Sequence, residues 1–490
     1  MTFKELLYCC TFPEYGAGPD GDLLDKFHYR VYMDNLEFCS PGSPVHFEPN
    51  IKNRKIDRWL ADAHSKGIKV MWCAQGKLNN QNVAGTANKV MPIEDGLDAL
   101  DPNNWSDYAE LCKQIAIRYS SDATGDGANV FKHPSNNYFS SPDLVAAGTL
   151  GALQIGNEVN FLKEWHKGTR TITPEEYAAC FFACYYAIRS VSQTLPIVAG
   201  SILDTSEQWL RRFLVKFQSL CSERLSVDMP TDFYLSWHWY MRENDQSQGS
   251  GADVGASPEY VEAWNLIGSI DSLVSEFGLL GHYCTETGWS DDPADRSIKQ
   301  RAPMQEGYSL SESVGLLLIR FILIAGNFEN FKGLCVWAPA DGYDGWPYWF
   351  CGLHYKRTNP SSNPWNVPHP EVGIVDDWLP KPSKDVIEQF RDEWLDWDVV
   401  HGSLKKDPPF SITLENKTTG EIRSLQWVDG SVADGGLDGL PKYFGNVVEP
   451  IQPPIDPTLK ALPIHRIENF NGTGVTRVFN PPMVIYVQQS

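Results

Sequence analysis

The sequence is poor in positive charge. Lys and Arg number 41 against 62 Asp and Glu, a net charge of −21. No run of five or more basic residues occurs. A nucleic-acid partner, which needs clustered cations facing the phosphates, is therefore not expected. Long apolar runs are missing as well. The longest, residues 314–326, is interrupted by Arg320 and falls short of the ~20 residues that span a bilayer. No membrane association is expected. The eleven cysteines are odd in number and scattered, not set in a disulfide framework. The opening M-T-F-K-E-L-L-Y-C-C lacks a basic region followed by an apolar segment and a small-residue cleavage site. Reduced thiols in a cytoplasm-like compartment are the expectation, with secretion the alternative had a leader been removed. The sequence also lacks H-E-x-x-H, G-x-S-x-G and P-loop patterns. Their absence argues against a zincin metal centre, a serine elbow and a Walker phosphate loop.

What the sequence has in quantity is aromatic residues: 17 Trp, 20 Tyr and 23 Phe, or 12% of the chain. Rings of this size bury large areas, so many belong to a core. A surplus of Trp also fits a sugar cleft, where apolar pyranose faces stack on indoles. Composition leaves both readings open.

The first 400 residues alternate short apolar runs with amphipathic segments, the pattern of parallel strands joined by helices. Strands are predicted at 5–12, 28–34, 68–73, 151–155, 196–200, 232–237, 282–285 and 333–337. Helices are predicted at 22–27 (the shortest), 52–66, 105–119, 174–192, 257–276, 309–326 and 383–397. In the second of these, Ile56, Trp59, Leu60 and Ala63 share one face. Thr173, Pro174 and Glu176 form a capping box with Pro at the first helical position. Eight strand–helix units over residues 1–400 predict an α/β fold, a (β/α)8 TIM barrel. From 401 to 490 the pattern changes to a small β-rich addition. Residues 412–414 and 422–427 flank N-K-T-T-G as a hairpin, 475–479 and 483–487 read as strands, and the Pro-rich 450–463 cannot be a central strand.

Active sites of such barrels lie where the strands end on the C-terminal face. The fourth strand runs into L-Q-I-G-N-E-V-N, placing Asn157 and Glu158 at the rim; the seventh carries Glu286 in H-Y-C-T-E-T-G-W, with Trp289 just after. The sixth ends in S-W-H-W-Y, with His238 and Tyr240, and the eighth in C-V-W-A-P-A-D, with Trp337. Two carboxylates in one cavity suit glycosidic cleavage, where one protonates the leaving oxygen and the other attacks or activates water.

This set of motifs resembles clan A glycoside hydrolases. The segment order, with H-Y-R-V-Y-M-D-N followed by a helix and I-K-V-M-W-C, looks most like family 39 β-xylosidases or family 5 relatives. The resemblance spans roughly residues 5–400 and implies a retaining enzyme without metal or organic cofactor. It implies Glu158 as general acid/base and Glu286 as nucleophile. Asn157 would contact the sugar 2-hydroxyl, Tyr240 would hold the nucleophile, and Arg30 matches a clan arginine. His238, Trp337 and Trp289 complete the expected substrate-binding set. The sequence departs from the pattern in having Val159 after Asn157-Glu158 where Pro is usual, and Cys284 and Thr285 on the nucleophile strand.

Other readings compete. Gly16-Ala17-Gly18-Pro19-Asp20-Gly21 is a literal G-x-G-x-x-G with Asp34 at the next strand's end, as in a dinucleotide-binding oxidoreductase. Pro19 removes a backbone N–H from that turn, which counts against it. A carbohydrate-binding barrel without turnover is the third reading, opposed by the presence of both glutamates. Trp346, Tyr348 and Trp349 are either a packed loop or a sugar platform. Cys180 and Cys184, one helical turn apart, read as core because no second ligand pair accompanies them.

Overall fold

The computed structural model describes residues 2–11, 26–33, 56–74, 92–93, 96–125, 148–161, 165–167, 170–203, 205–242, 255–291, 301–303, 305, 308–341, 351–355, 379–408, 410–427, 459–463 and 484–488. Among them, eight strands form a closed barrel. These are β1 (Leu7–Thr11), β2 (His28–Met33), β3 (Val70–Ala74), β4 (Ala152–Ile155), β5 (Ile197–Ala199), β6 (Phe233–His238), β7 (Gly281–Thr287) and β8 (Phe331–Val336). Each pairs with its neighbour in sequence and β8 closes on β1, so the fold is a (β/α)8 barrel. Every strand lies within two residues of its predicted bounds. Parallel strands of a closed barrel end on one rim, which is why strand-end residues matter.

The chain divides into two compact units. One comprises Tyr8–Trp239 and Ser269–Thr285. In it β3 (V-M-W-C-A) and β4 (A-L-Q-I) are buried along their whole length, as expected of parallel strands covered on both faces. Helices α1 (Ile56–Ser65), α2 (Ser106–Tyr119) and α3 (Pro174–Arg189) follow the sequence pattern. The α3 capping box is formed: Glu176 N–H donates to Thr173 Oγ1 at 3.2 Å, and Thr173 N–H to Glu176 Oε2 at 2.9 Å. Helix α4 (Glu207–Leu225) is an addition to the predicted elements. Its signal is in the sequence: Ser206 caps it, and Leu210, Phe213, Leu214, Phe217, Leu220 and Cys221 form one buried stripe. Phe181 of α3 packs on Phe213 and Phe217 of α4 and on Phe233 of β6 with ring centroids 5.4, 5.1 and 5.0 Å away. Each fully buried ring of this kind contributes about 1.5–3 kcal/mol. Much of the aromatic surplus is thus core. Of the helix predicted at 22–27, Lys26 and Phe27 are described and are not helical.

The other unit comprises Met1–Leu7, Tyr240–Gly268 and Glu286–Ser490. It begins with a helical turn, Phe3–Leu6, where a strand is predicted from residue 5; Thr2 N–H donates to Glu5 Oε2 at 3.0 Å and starts the turn. Its helices are α6 (Leu310–Gly326) and α7 (Pro382–Glu393), with α5 (Ala263–Phe277) shared between the units. The capping box of Ser309 and Glu312 opens α6, which is buried almost throughout. No helix among the described residues is long and apolar enough to cross a membrane. The helix predicted to reach 397 stops at Glu393, because Trp397 opens β9 (Trp397–Val399) of a separate antiparallel sheet with β10 (Phe410–Asn416) and β11 (Ile422–Trp427). Asn416 forms the turn of that predicted hairpin, accepting N–H groups of Thr418 and Thr419 on Oδ1 at 2.9 and 2.8 Å. Trp427 donates its indole N–H to buried Glu259 at 2.7 Å, and Glu259 lies 3.5 Å from Arg320 of α6. Strands β12 (Leu459–Pro463) and β13 (Val484–Gln488) pair separately, and the strand predicted at 475–479 lies outside the described residues.

Candidate active site

The chain leaves β4 through Gly156, Asn157 and Glu158. Gly156 has φ +90°, and a Cβ there would stand 2.7 Å from the Trp165 ring, so only glycine fits. Glu158 itself adopts φ 42°, the left-handed region that non-glycine residues rarely occupy. The turn is fixed by neighbours: Glu158 N–H donates to Ser201 Oγ at 3.1 Å and Val159 N–H to the Ser201 carbonyl at 2.9 Å. Backbone held this way concentrates at functional sites.

Arg30 stands in the middle of β2, paired in register with Cys10 and Met71, and is fully buried. Its guanidinium donates to Gln154 Oε1 at 2.6 Å and to Asn157 Oδ1 at 2.7 Å, with the Cys73 thiol at 3.4 Å. Ser201 Oγ also donates to Asn157 Oδ1, at 3.2 Å. Two donors on one oxygen fix which way the amide of Asn157 faces. Gln154 passes the network on to Ser236 at 2.8 Å, and Ser236 to the Ala199 carbonyl at 2.6 Å.

His238, at the end of β6, places Nδ1 2.9 Å from Glu158 Oε1. Burial, and after it the nearby Arg30 charge, holds this imidazole well below its ordinary value. It is therefore neutral, and puts no positive charge against Glu158.

In the other unit, Tyr240 Oη donates to Glu286 Oε2 at 2.8 Å, and both residues are buried. A hydroxyl donated to a carboxylate orients it and favours its charged form. Trp337, half-buried just past β8, donates its backbone N–H to the Thr287 carbonyl at 2.9 Å. Trp289 is fully buried, its indole N–H donated to the Ala256 carbonyl at 2.9 Å.

Of the eight predicted site residues, Arg30, Asn157, Glu158 and His238 belong to one unit and Tyr240, Glu286, Trp289 and Trp337 to the other. Sequence reasoning missed Gln154, Ser201 and Ser236. Gln154 carried a signal, a polar residue inside the apolar A-L-Q-I strand. Gly16 to Gly21, Asp34, Trp346, Tyr348 and Trp349 lie outside the described residues. Burial pushes the thiols of Cys112, Cys180 and Cys184 up, which keeps them protonated core residues rather than thiolate ligands.

The fold and these residues define a (β/α)8-barrel protein with glutamates at the ends of β4 and β7. No protein-family model and no curated protein matches the chain. Among solved structures it is similar to a conserved exported protein from Bacteroides fragilis, at TM-score 0.51 and 9% identity over 87% of each chain. It is also similar to Xyn30A, a glycoside hydrolase family 30 subfamily 8 xylanase from Clostridium acetobutylicum, at TM-score 0.45 and 11% identity over 86% of this chain and 80% of that one. A third similarity, to GH5_18 from Bifidobacterium longum, has TM-score 0.45 and 14% identity over 80% of each chain. At such identities the likeness concerns the fold alone.

Proposed function

We propose that the protein is a retaining glycoside hydrolase that cleaves β-O-glycosidic bonds of an oligo- or polysaccharide by double displacement. The observation that carries this reading is the contrast between two buried glutamates at strand ends: Glu158 against a neutral imidazole, Glu286 under a donated phenol. In this reading His238 Nδ1 accepts the hydrogen bond of a protonated Glu158, which favours the acid, whereas the Tyr240 hydroxyl donates to an ionised Glu286, which favours the nucleophile.

In the first step Glu158 gives its proton to the leaving glycosidic oxygen while Glu286 attacks the anomeric carbon, forming a glycosyl ester. In the second, Glu158 takes a proton from water, which displaces Glu286 and restores the starting configuration. The reading requires the two carboxyl groups about 5–5.5 Å apart. Asn157, with its amide orientation fixed, meets the sugar 2-hydroxyl, and Trp337 offers a stacking face. Arg30 and Trp289, fully buried, support the residues that touch the sugar. The substrate is carbohydrate, and neither nucleic acid nor membrane takes part.

A screen of aryl β-glycosides and of plant and algal polysaccharides should find a substrate, and proton NMR of the first-formed anomer should show retention. Replacing Glu286 with Ala should abolish turnover, with azide then giving the glycosyl azide of inverted configuration. Replacing Glu158 with Ala should spare activated aryl glycosides, and azide should give the retained product. Near wild-type activity in both variants would put the site elsewhere.

A carbohydrate-binding barrel without turnover is the second reading, favoured if sugars bind the wild type and none is cleaved. The dinucleotide reading rests on Gly16 to Gly21, which lie outside the described residues, and in its open-sheet form it is not favoured. A closed barrel lacks the strand-order reversal at which open sheets take such cofactors.

A further inference from the structure

One fully buried lysine joins the stretches that follow β7 and β8. Lys381, just before α7, donates through Nζ to Asp291 Oδ1 and to Asp341 Oδ1, each at 2.6 Å. Asp291 lies five residues past Glu286 and Asp341 four past Trp337. Backbone bonds tie the same layers: Lys381 N–H donates to the Leu353 carbonyl at 2.9 Å, Leu353 N–H to the Ala338 carbonyl at 3.0 Å, and Asp341 N–H to the His354 carbonyl at 2.9 Å. The layers are tight enough that a Cβ on Gly352 would stand 2.2 Å from the Ala340 carbonyl carbon.

We propose that Lys381, Asp291 and Asp341 form a clamp of positioning residues that holds the segments carrying Glu286 and Trp337 in register, and that the clamp loosens with rising pH. The role rests on the assignment of Glu286 as nucleophile. None of the three touches substrate. A buried cation between two carboxylates is matched in charge only while one carboxylate keeps its proton. Burial raises Asp341 to about 7, against the lowering effect of Lys381 and with a further rise from Asp291. The other titratable groups facing it are Cys351, His354 and Tyr355. Burial holds Cys351 up as a neutral thiol, His354 bonds the Pro339 carbonyl at 2.7 Å, and Tyr355 lies with its ring 5.3 Å from Lys381 Nζ. Because the folded value is above the unfolded one, the Asp341 contribution is complete below about pH 4 and is lost as pH rises to about 7. Above that the clamp carries a buried net negative charge.

Hydrogen-exchange mass spectrometry on the full chain, corrected for intrinsic rates, tests this. In the wild type, protection of peptides over 286–291 and 337–341 should fall by up to about a hundredfold between about pH 5 and 8, the equivalent of two pKa units. In Asp341→Asn, which keeps an oxygen acceptor for Lys381 without the second charge, the fall should shrink to about twofold or less. Peptides over α4 should show no such pH dependence in either protein. Lys381→Met should lower protection of the same two segments at every pH; if it does not fold, the Asp341→Asn comparison decides. An equal fall in wild type and Asp341→Asn, or one shared by α4, overturns the clamp. Exchange needs no turnover, so an inactive wild type with the predicted profile would sink the hydrolase reading and leave the clamp standing.

Discussion

The two candidate carboxylates sit in surroundings built on different principles. Around Glu158 the polar groups are dipoles and one buried cation: Arg30 is satisfied by the amides of Gln154 and Asn157 and by thiols, and His238 is neutral. On the Glu286 side, beyond Tyr240, a fully buried lysine is held by two aspartates. Amides do not titrate, so the first arrangement keeps its charge over a wide pH range. The second is tied to the proton on Asp341 and has to change as that group titrates. The difference teaches that equally buried ionic clusters can differ in pH response because of what faces the charge.

The largest expected effect follows from removing the cation on the ionic side. Lys381→Met leaves two buried carboxylates facing each other and should destabilise the protein by about 3–5 kcal/mol, read from urea unfolding near neutral pH. A loss below about 1 kcal/mol would mean the trio is more open to water than its burial implies. Next comes Tyr240→Phe, which removes the hydroxyl bonded to Glu286. It should cost about 1.5–3 kcal/mol in transition-state stabilisation, about ten- to hundredfold in kcat/KM, with little change in unfolding free energy. An equal loss of stability would place Tyr240 with the packing residues instead.

On the dipolar side, Tyr177 of α3 donates to the Ile155 carbonyl at 2.8 Å and accepts the Gly200 N–H, bridging β4 and β5 beneath Glu158. Tyr177→Phe should cost about 1–3 kcal/mol, without the pH slope of the ionic side. Smallest is Thr173→Ala at the α3 cap, about 1 kcal/mol by thermal unfolding. Similar pH slopes for Tyr177→Phe and Lys381→Met would erase the distinction between the two regions.

Strand order, barrel closure, the α3 capping box and the turn at Asn416 were all legible in the chain, because each rests on a local pattern: apolar runs, caps and turn residues a few positions apart. Helix α4 is equally local, with Ser206 before a 3–4 spaced apolar stripe. Glu158 and Glu286 were legible as strand-end acids. What surrounds them was not. Arg30 meets Gln154 and Asn157 across 124 and 127 residues, and Lys381 meets Asp291 across 90. Nothing in a lysine before P-S-K-D announces that it will be fully buried. Local spacing determines which face a side chain takes; which distant groups share its low-dielectric surroundings, and hence the neutrality of His238 and the proton on Asp341, is decided only when the strands close in register.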